Sequence, residues 1–425
     1  MAAPGRLAQM PSPTFCVVGA GLAGGRAAVS LRDRGFDGRL VLIGQETDPP
    51  YERPPLSKAY LAGELPLSKL FLSTPKAYAD LSIDWRAAAT VEAIAPGQHE
   101  VRLAGGERIG FDRLLLTTGS RPRTLDIPGA DLPGVSTYRT IRDADLLRSE
   151  LEELPQVVVV GGGFLGCELA VAARRRGCRV TLVEAGQVLL APLGATVGGY
   201  CADLHQQAGV ELSLEDSVAR FQGGAHLQQV LLRSGRTVPC DLALVCVGAL
   251  PNAELAAQAG LEVDPGVVVD QHCRSSHEAI FAAGDVASWQ SQRWQRRMRV
   301  EHYDNAHQQG LFVAGAMLGE KGSYEPVPYF WTEQYDSMIQ QIGVFDPSDA
   351  AVQRGDPKSG RFSVFYLRQG SVRGCVAVNS FHDLSSARRL IGAEVAVSAE
   401  LLGDPAVDLR DWSMQAAAAA RNTTA

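Results

Sequence analysis

No Cys-x-x-Cys pair occurs anywhere in this sequence. Its eight cysteines, Cys16, Cys167, Cys178, Cys201, Cys240, Cys246, Cys273 and Cys375, are scattered along the chain. Such spacing argues against a disulfide framework and against a structural zinc site. They read as small, buried apolar residues. His-Glu-x-x-His is missing as well, and the pairs His272/His277 and His302/His307 are five apart, the wrong separation for one helical face. No metal is assigned. No apolar run approaches the ~18 residues a membrane span needs. Positive charge is in deficit, with a formal net charge of −7, which argues against a dedicated nucleic-acid binder. Only five of the 40 basic residues are lysine, a bias that genome base composition explains as readily as chemistry. The first residues hold three prolines and no apolar core of a signal peptide, so residues 1–12 read as a disordered tail on a cytoplasmic protein.

What remains is an ordinary globular composition, 46% hydrophobic and 20% charged over 425 residues. That length suits two or three domains. Thr14 to Val18 reads as a buried parallel strand. It runs into Gly19-Ala20-Gly21-Leu22-Ala23-Gly24, a helical segment from Gly25 to Arg34, a strand from Leu40 to Ile43, and then Glu46. This is the strand, G-x-G-x-x-G, helix, strand, acid pattern of a dinucleotide site. Gly19 permits the tight turn, Gly21 lets a pyrophosphate approach the backbone, and Gly24 lets helix and strand pack closely. The helix N-terminus offers its free N–H groups to the phosphates.

The pattern repeats. A strand at Gln156 to Val160 leads into Gly161-Gly162-Gly163-Phe164-Leu165-Gly166, a helix from Glu168 to Arg176, a strand from Arg179 to Val183, and Glu184. One such motif is weak evidence, whereas two in the same context point to two dinucleotides and electron traffic between them. Glu184 is positioned to accept hydrogen bonds from the ribose of NAD and to repel a 2′-phosphate. Ala185, Gly186 and Gln187 supply no arginine for such a phosphate, so NADH is favoured over NADPH.

Several further segments carry a resemblance. They are Arg53-Pro54-Pro55-Leu56-Ser57-Lys58, Leu114 to Gly119, Tyr138-Arg139-Thr140, Leu242 to Asn252, Ile280 to Val286, Glu301 to Gly310 and Tyr329 to Tyr335. In order and spacing they resemble the FAD-dependent, NADH-oxidising ferredoxin reductases that serve bacterial cytochromes P450 and Rieske oxygenases. These are glutathione-reductase-like flavoproteins, with apoptosis-inducing factor a more distant relative. The resemblance runs from about Phe15 to Leu409. It implies an α/β fold with two Rossmann-like dinucleotide-binding domains and a smaller C-terminal α+β domain. The implied boundaries are 13–125 and 254–332 for FAD, 126–253 for NAD, and 333–425 for the C-terminal interface domain with a flexible tail; Phe362 to Leu367 and Ser371 to Asn379 read as alternating strands in it.

The resemblance places FAD against Gly19, Gly21, Leu22, Ala23, Gly24, Glu46, Arg53, Lys58, Val91, Arg139, Asp285 and Tyr303. It places NAD against Gly161, Gly163, Phe164, Leu165, Gly166 and Glu184. The family's ribose acid aligns with Gln45 here; either Glu46 has taken that role or the contact is weaker. Lys58 is expected near the flavin ring, where a fixed cation stabilises the charge gained on reduction. Glu168, in the first turns of the second nucleotide helix, is its expected partner. Trp331 is expected beside the flavin. The stretch Tyr51 to Tyr60 has no cysteine, so the dithiol relay of the disulfide reductases is not expected. Electrons would leave directly to a transiently docked [2Fe–2S] ferredoxin, with Arg293, Arg296, Arg297 and Arg299 as the basic docking cluster. A monomer and a weak homodimer are both compatible with this reading. The alternatives are a rubredoxin or other NADH-dependent acceptor reductase, or a redox-responsive binding protein like apoptosis-inducing factor.

Overall fold

The computed structural model describes residues 12–346 and 348–423. Apart from residue 12, the expected tail lies outside the described residues. The chain groups into two compact units. One comprises the chain through Glu52 with Phe71–Ser120 and Pro251–Glu325; the other comprises Arg53–Leu70, Arg121–Leu250 and the chain from Pro326 onward.

The first unit is built on a five-stranded parallel sheet in the spatial order Ile280–Ala282, Arg113–Leu116, Thr14–Val18, Arg39–Ile43, Ile83–Arg86. Phe15 to Val18 and Leu40 to Ile43 are buried without alternation, as strands covered on both faces must be. The helix Leu22–Asp33 returns the chain from the first strand, turning Ala23, Ala27, Ala28 and Leu31 inward at helical spacing. Against it lies the helix Tyr303–Met317. A Cβ at Gly310 would stand 2.6 Å from the Ala23 carbonyl oxygen, so glycine sets how close these helices come. Two three-stranded sheets complete the main elements of this unit: Val91–Ala95, Glu100–Leu103 and Arg108–Gly110, all antiparallel, and Val267–Val269, Ala287–Ser291 and Arg296–Met298, of mixed direction.

In the second unit another five-stranded parallel sheet runs Glu211–Ser213, Arg179–Val183, Gln156–Val160, Leu242–Val245, Val135–Ser136. A three-stranded meander, Val218–Gly223, Leu227–Leu232 and Thr237–Pro239, shares one buried cluster with it through Val158, Val160, Phe221, Val230 and Val245. The C-terminal part is an antiparallel sheet in the order Tyr329–Gln334, Ser337–Gly343, Ser371–Val378, Arg361–Arg368, Ala350–Asp356. The helices Phe381–Ala393 and Leu409–Thr423 complete it.

Two features differ from what the sequence suggested. Both glycine helices start inside the fingerprint, at Leu22 and Phe164, three and four residues before the expected Gly25 and Glu168. Glycine is a poor helix former, so propensity marks the start too late; here close packing requires the third glycine to lie in the helix. The strand expected at Phe362 to Leu367 is buried continuously rather than alternately. Tyr366 donates to Leu193 O from one face (2.7 Å) and Ser363 donates to Asp383 from the other (2.9 Å), so both faces are covered.

Candidate functional site: two glycine cradles and a buried ion pair

The two fingerprints are built alike, down to the hydrogen bonds. Gly19 N–H donates to Ile43 O at 2.9 Å, and Gly161 N–H donates to Val183 O at 2.8 Å. Both glycines have positive φ, +112° and +107°. A Cβ at either would collide with a carbonyl of the neighbouring strand's end, Thr117 O or Cys246 O. The third glycines, Gly24 and Gly166, are as constrained: a Cβ there would collide with the carbonyl oxygen of Gly19 or Gly161. The middle glycines are the opposite. Around a Cβ at Gly21 or Gly163 nothing lies within 4 Å. Each caps its helix with no side-chain hydrogen bond and no acidic residue in the first turn. The result is a helix N-terminus with open space before it and no competing anion, which is what a pyrophosphate requires. The residues therefore fit a dinucleotide at both places. Leu22 and Ala23 in the first cradle, and Phe164 and Leu165 in the second, occupy the opening turns.

The acids behind the cradles are engaged differently. Glu184 accepts from Gly162 N–H through Oε2 and from Gly186 N–H through Oε1, both at 2.6 Å. Its carboxylate thus braces the loop it borders. Glu46 is half-buried and accepts from the Tyr51 hydroxyl at 2.6 Å, whereas Gln45 is exposed.

In the second unit, Lys58 and Glu168 form a short ion pair, Nζ to Oε2 at 2.7 Å, with side chains only 15% and 7% exposed. The same oxygen accepts from Ser57 Oγ at 2.5 Å, and Oε1 accepts from Thr332 Oγ1 at 2.6 Å. Three elements converge here. Pro54–Ser57 is a single 3-10 turn whose prolines preset φ and need no N–H partner; it delivers Ser57 and Lys58 side by side. The second glycine helix delivers Glu168 and the edge strand Tyr329–Gln334 delivers Thr332. Buried charges persist only when paired and hydrogen-bonded, and this pair has both. Tyr138 fastens the turn by donating to Leu56 O at 2.5 Å, and burial pushes its phenol well above the usual range. Arg53 donates to Arg139 O at 2.8 Å, and Arg139 N–H donates to Asp143 at 2.9 Å.

Trp331 faces away from this group. It lies half-buried on the other face of its strand, its ring stacked 6.0 Å from Tyr329, while Phe330 meets Phe164 at 4.1 Å and Thr332 meets Glu168. Period-two alternation forces that separation. Ser57 and Thr332 are functional candidates that sequence reading passed over. Each is the immediate neighbour of a residue it singled out.

The remaining expected residues lie in the first unit. Asp285 is buried and accepts from Ser120 Oγ at 2.8 Å. Val91 is buried in its strand. Tyr303 opens its helix, and its hydroxyl donates to Glu52 at 2.6 Å; burial, then that hydrogen bond, push its phenol up to about 12. Among the four arginines, Arg296 and Arg297 are exposed, Arg293 is half-buried, and Arg299 is paired with Glu301.

Tertiary packing also brings Cys167 to Cys201 and His205, which stand four apart on another helix. One ligand atom each of Cys167, Cys201 and His205 lie within 4.8 Å of one another, and all three residues are fully buried. Cys167 Sγ donates to Gly162 O at 3.4 Å. The nearby Cys201 sulfur and burial push the Cys167 thiol up, while the neighbouring Cys167 thiol and His205 pull the Cys201 thiol down. All eight cysteines are free.

Two like-built dinucleotide cradles in one α/β chain define an oxidoreductase that works with two nucleotide coenzymes. Comparison with known proteins gives the family: residues 13–310 match the family described as pyridine nucleotide-disulphide oxidoreductase, and residues 329–413 match the reductase C-terminal domain. The chain is 38% identical over 400 residues to the ferredoxin–NAD(+) reductase component of the biphenyl dioxygenase system of Paraburkholderia xenovorans, covering 94% of this chain and 98% of that protein. It is 35% identical over 402 residues to putidaredoxin reductase of Pseudomonas putida, covering 93% and 95%. The crystal structure of the ferredoxin reductase for the CYP199A2 system of Rhodopseudomonas palustris superimposes with a TM-score of 0.92 at 35% identity, over 94% of this chain and all of that one. The chain belongs to the pyridine nucleotide-disulphide oxidoreductase family, among its ferredoxin–NAD(+) reductases. FAD and NAD(H) are the coenzymes of that family. No helix of the described residues is long and apolar enough to cross a membrane.

Proposed function

We propose that this chain is an NADH-dependent ferredoxin reductase, passing electrons through FAD to a [2Fe–2S] ferredoxin that serves a cytochrome P450 or a Rieske-type oxygenase. The observation that carries the reading is the duplicated cradle, with its middle glycine open to a ligand in both copies. The likeness to ferredoxin reductases over more than nine-tenths of the chain supports it. When bound, FAD supplies the chemistry that joins a two-electron donor to a one-electron acceptor.

The protein's own residues bind, orient and balance charge. Gly19 to Gly24 hold the FAD pyrophosphate on the first helix N-terminus, with Glu46, Arg53, Val91, Arg139, Asp285 and Tyr303 holding the rest of the coenzyme. Gly161 to Gly166 hold that of NADH, and Glu184 selects against a 2′-phosphate. Lys58 offers a fixed positive charge toward the flavin, and Glu168 holds it in place with Ser57 and Thr332. Trp331, on the far face of its strand, lines the flavin surroundings rather than the ion pair. Residues 13–125 and 254–332 form the FAD domain, 126–253 the NAD domain and 333–425 the interface domain. The ferredoxin docks transiently on the face carrying Arg293, Arg296, Arg297 and Arg299. The enzyme works in the cytoplasm, as a monomer or a weak homodimer.

Purified protein should carry flavin absorbance, bleach anaerobically with NADH, and reduce cytochrome c only when a [2Fe–2S] ferredoxin is added. In stopped flow, Lys58→Gln should slow flavin reduction by NADH. Colourless protein that takes up no FAD and leaves NADH unoxidised would sink the proposal.

A further inference from the structure

We propose that Cys167, Cys201 and His205 form a buried binding site for one thiophilic metal ion of the Zn(II) or Cu(I) class. Two adjacent helices build it. Cys167 lies in the opening turns of Phe164–Arg175, and Cys201 and His205 lie four apart, on one face of Ala195–Gln207. All three residues are 0% exposed.

The second observation is the imidazole. His205 Nδ1 is engaged by the Tyr335 hydroxyl at 3.3 Å, while Nε2 is buried and has no hydrogen-bond partner. A buried polar nitrogen left unpaired is unfavourable, and a ligand would relieve it. With Nδ1 turned to Tyr335, Nε2 is the nitrogen left for the two sulfurs. Tyr335 then acts as the outer partner that fixes the ring's orientation, the arrangement found behind metal-bound histidines.

Size and chemistry agree. Three atoms all within 4.8 Å of one another have a common centre at most about 2.8 Å from each. Metal–sulfur and metal–nitrogen bonds are ~2.3 Å and ~2.0–2.1 Å, so contraction by roughly half an ångström closes the site. Two thiolates and an imidazole are soft and borderline ligands, suited to zinc or cuprous copper and poorly suited to calcium or magnesium. Charge balance favours Zn(II), which two thiolates neutralise inside a dry core. Ligand number favours Cu(I), because structural zinc is almost always four-coordinate. On binding, each thiol that ligates as thiolate gives its proton to solvent, so no oxidant or reductant is needed.

The test uses the flavin-loaded protein, stripped of metal with a chelator and kept anaerobic. It is titrated with Zn2+ against a chromophoric chelator and, separately, with Cu+ against a cuprous chelator. About one tightly held ion per chain is expected, with sulfur and nitrogen neighbours in its X-ray absorption spectrum. The titration that saturates at the lower free-metal concentration names the ion. Cys201→Ser should weaken binding by at least ~100-fold, and Tyr335→Phe by ~10–100-fold. Tyr335→Phe leaves all three ligands in place and keeps the proposal testable should Cys201→Ser fail to fold. Retention of neither metal by the wild-type protein overturns the proposal. So does unchanged affinity in a folded Cys201→Ser, an absorption spectrum without sulfur, or a Cys167–Cys201 disulfide in protein isolated without oxidant.

Discussion

Lys58 Nζ stands 2.7 Å from Glu168 Oε2, and the same carboxylate accepts hydroxyl hydrogen bonds from Ser57 and Thr332. The ammonium is therefore one corner of a network drawn from a proline turn, a nucleotide-binding helix and an edge strand. The network holds that charge in place, and removing any member perturbs the others.

Glu168→Gln keeps the side chain's shape and removes the counter-charge. It should lower unfolding stability by ~1–3 kcal/mol, because Lys58 is then left nearly buried and unpaired. Urea denaturation measures this. Thr332→Ala, combined with Glu168→Gln, should cost less than the two single changes added together. Full additivity would show that the groups do not act as a unit.

The glycines of the second cradle should separate binding from folding. At Gly166 a Cβ collides with the Gly161 carbonyl, so Gly166→Ala should cost ~1–3 kcal/mol or more of stability through overpacking. At Gly163 the same methyl group meets open space. Gly163→Ala should fold within about 1 kcal/mol of wild type, since it loses only a modest capping preference. It should still raise the KM for NADH by roughly tenfold, the loss of one charge-assisted contact to phosphate. Calorimetry and steady-state kinetics on the two variants check both halves; a normal KM in Gly163→Ala would remove the phosphate from this helix terminus.

Glu184→Gln bears on coenzyme choice. The amide can no longer accept from both Gly162 N–H and Gly186 N–H, nor repel a phosphate. The ratio of kcat/KM for NADH over NADPH should fall by about tenfold or more, the equivalent of roughly 1.4 kcal/mol. An unaltered ratio would assign Glu184 to bracing the loop alone.

Arg296 and Arg297 are exposed on one short strand, Arg296–Met298, and Arg299 nearby is paired with Glu301. Reversing both exposed charges with Arg296→Glu and Arg297→Glu should leave NADH–ferricyanide turnover within about twofold of wild type, because surface changes of this kind disturb stability little. Ferredoxin-dependent cytochrome reduction should fall by an order of magnitude or more and lose its salt dependence. Equal loss in both assays would speak against docking at this strand.

The strands Thr14–Val18 and Gln156–Val160 were legible to the residue, because unbroken apolar runs ending in glycine have few other uses. The helices behind them start three and four residues earlier than the sequence suggests, since local propensity does not register that Gly24 and Gly166 are held against a strand end by packing. Lys58 and Glu168 were each recognisable from the motif they stand in. Thr332 was not, because a threonine in an aromatic strand looks like any other. Only strand alternation turned Thr332 toward the carboxylate and Trp331 away from it.

Local sequence thus determined what depends on neighbours a few residues apart: two glycine turns, the strands that feed them and the helices that leave them. The tertiary structure decided which distant side chains meet. It brought Lys58 to Glu168, set Tyr335 against His205, and packed Cys167 near Cys201. Such contacts depend on how helices and strands pack, which no short stretch of residues encodes by itself.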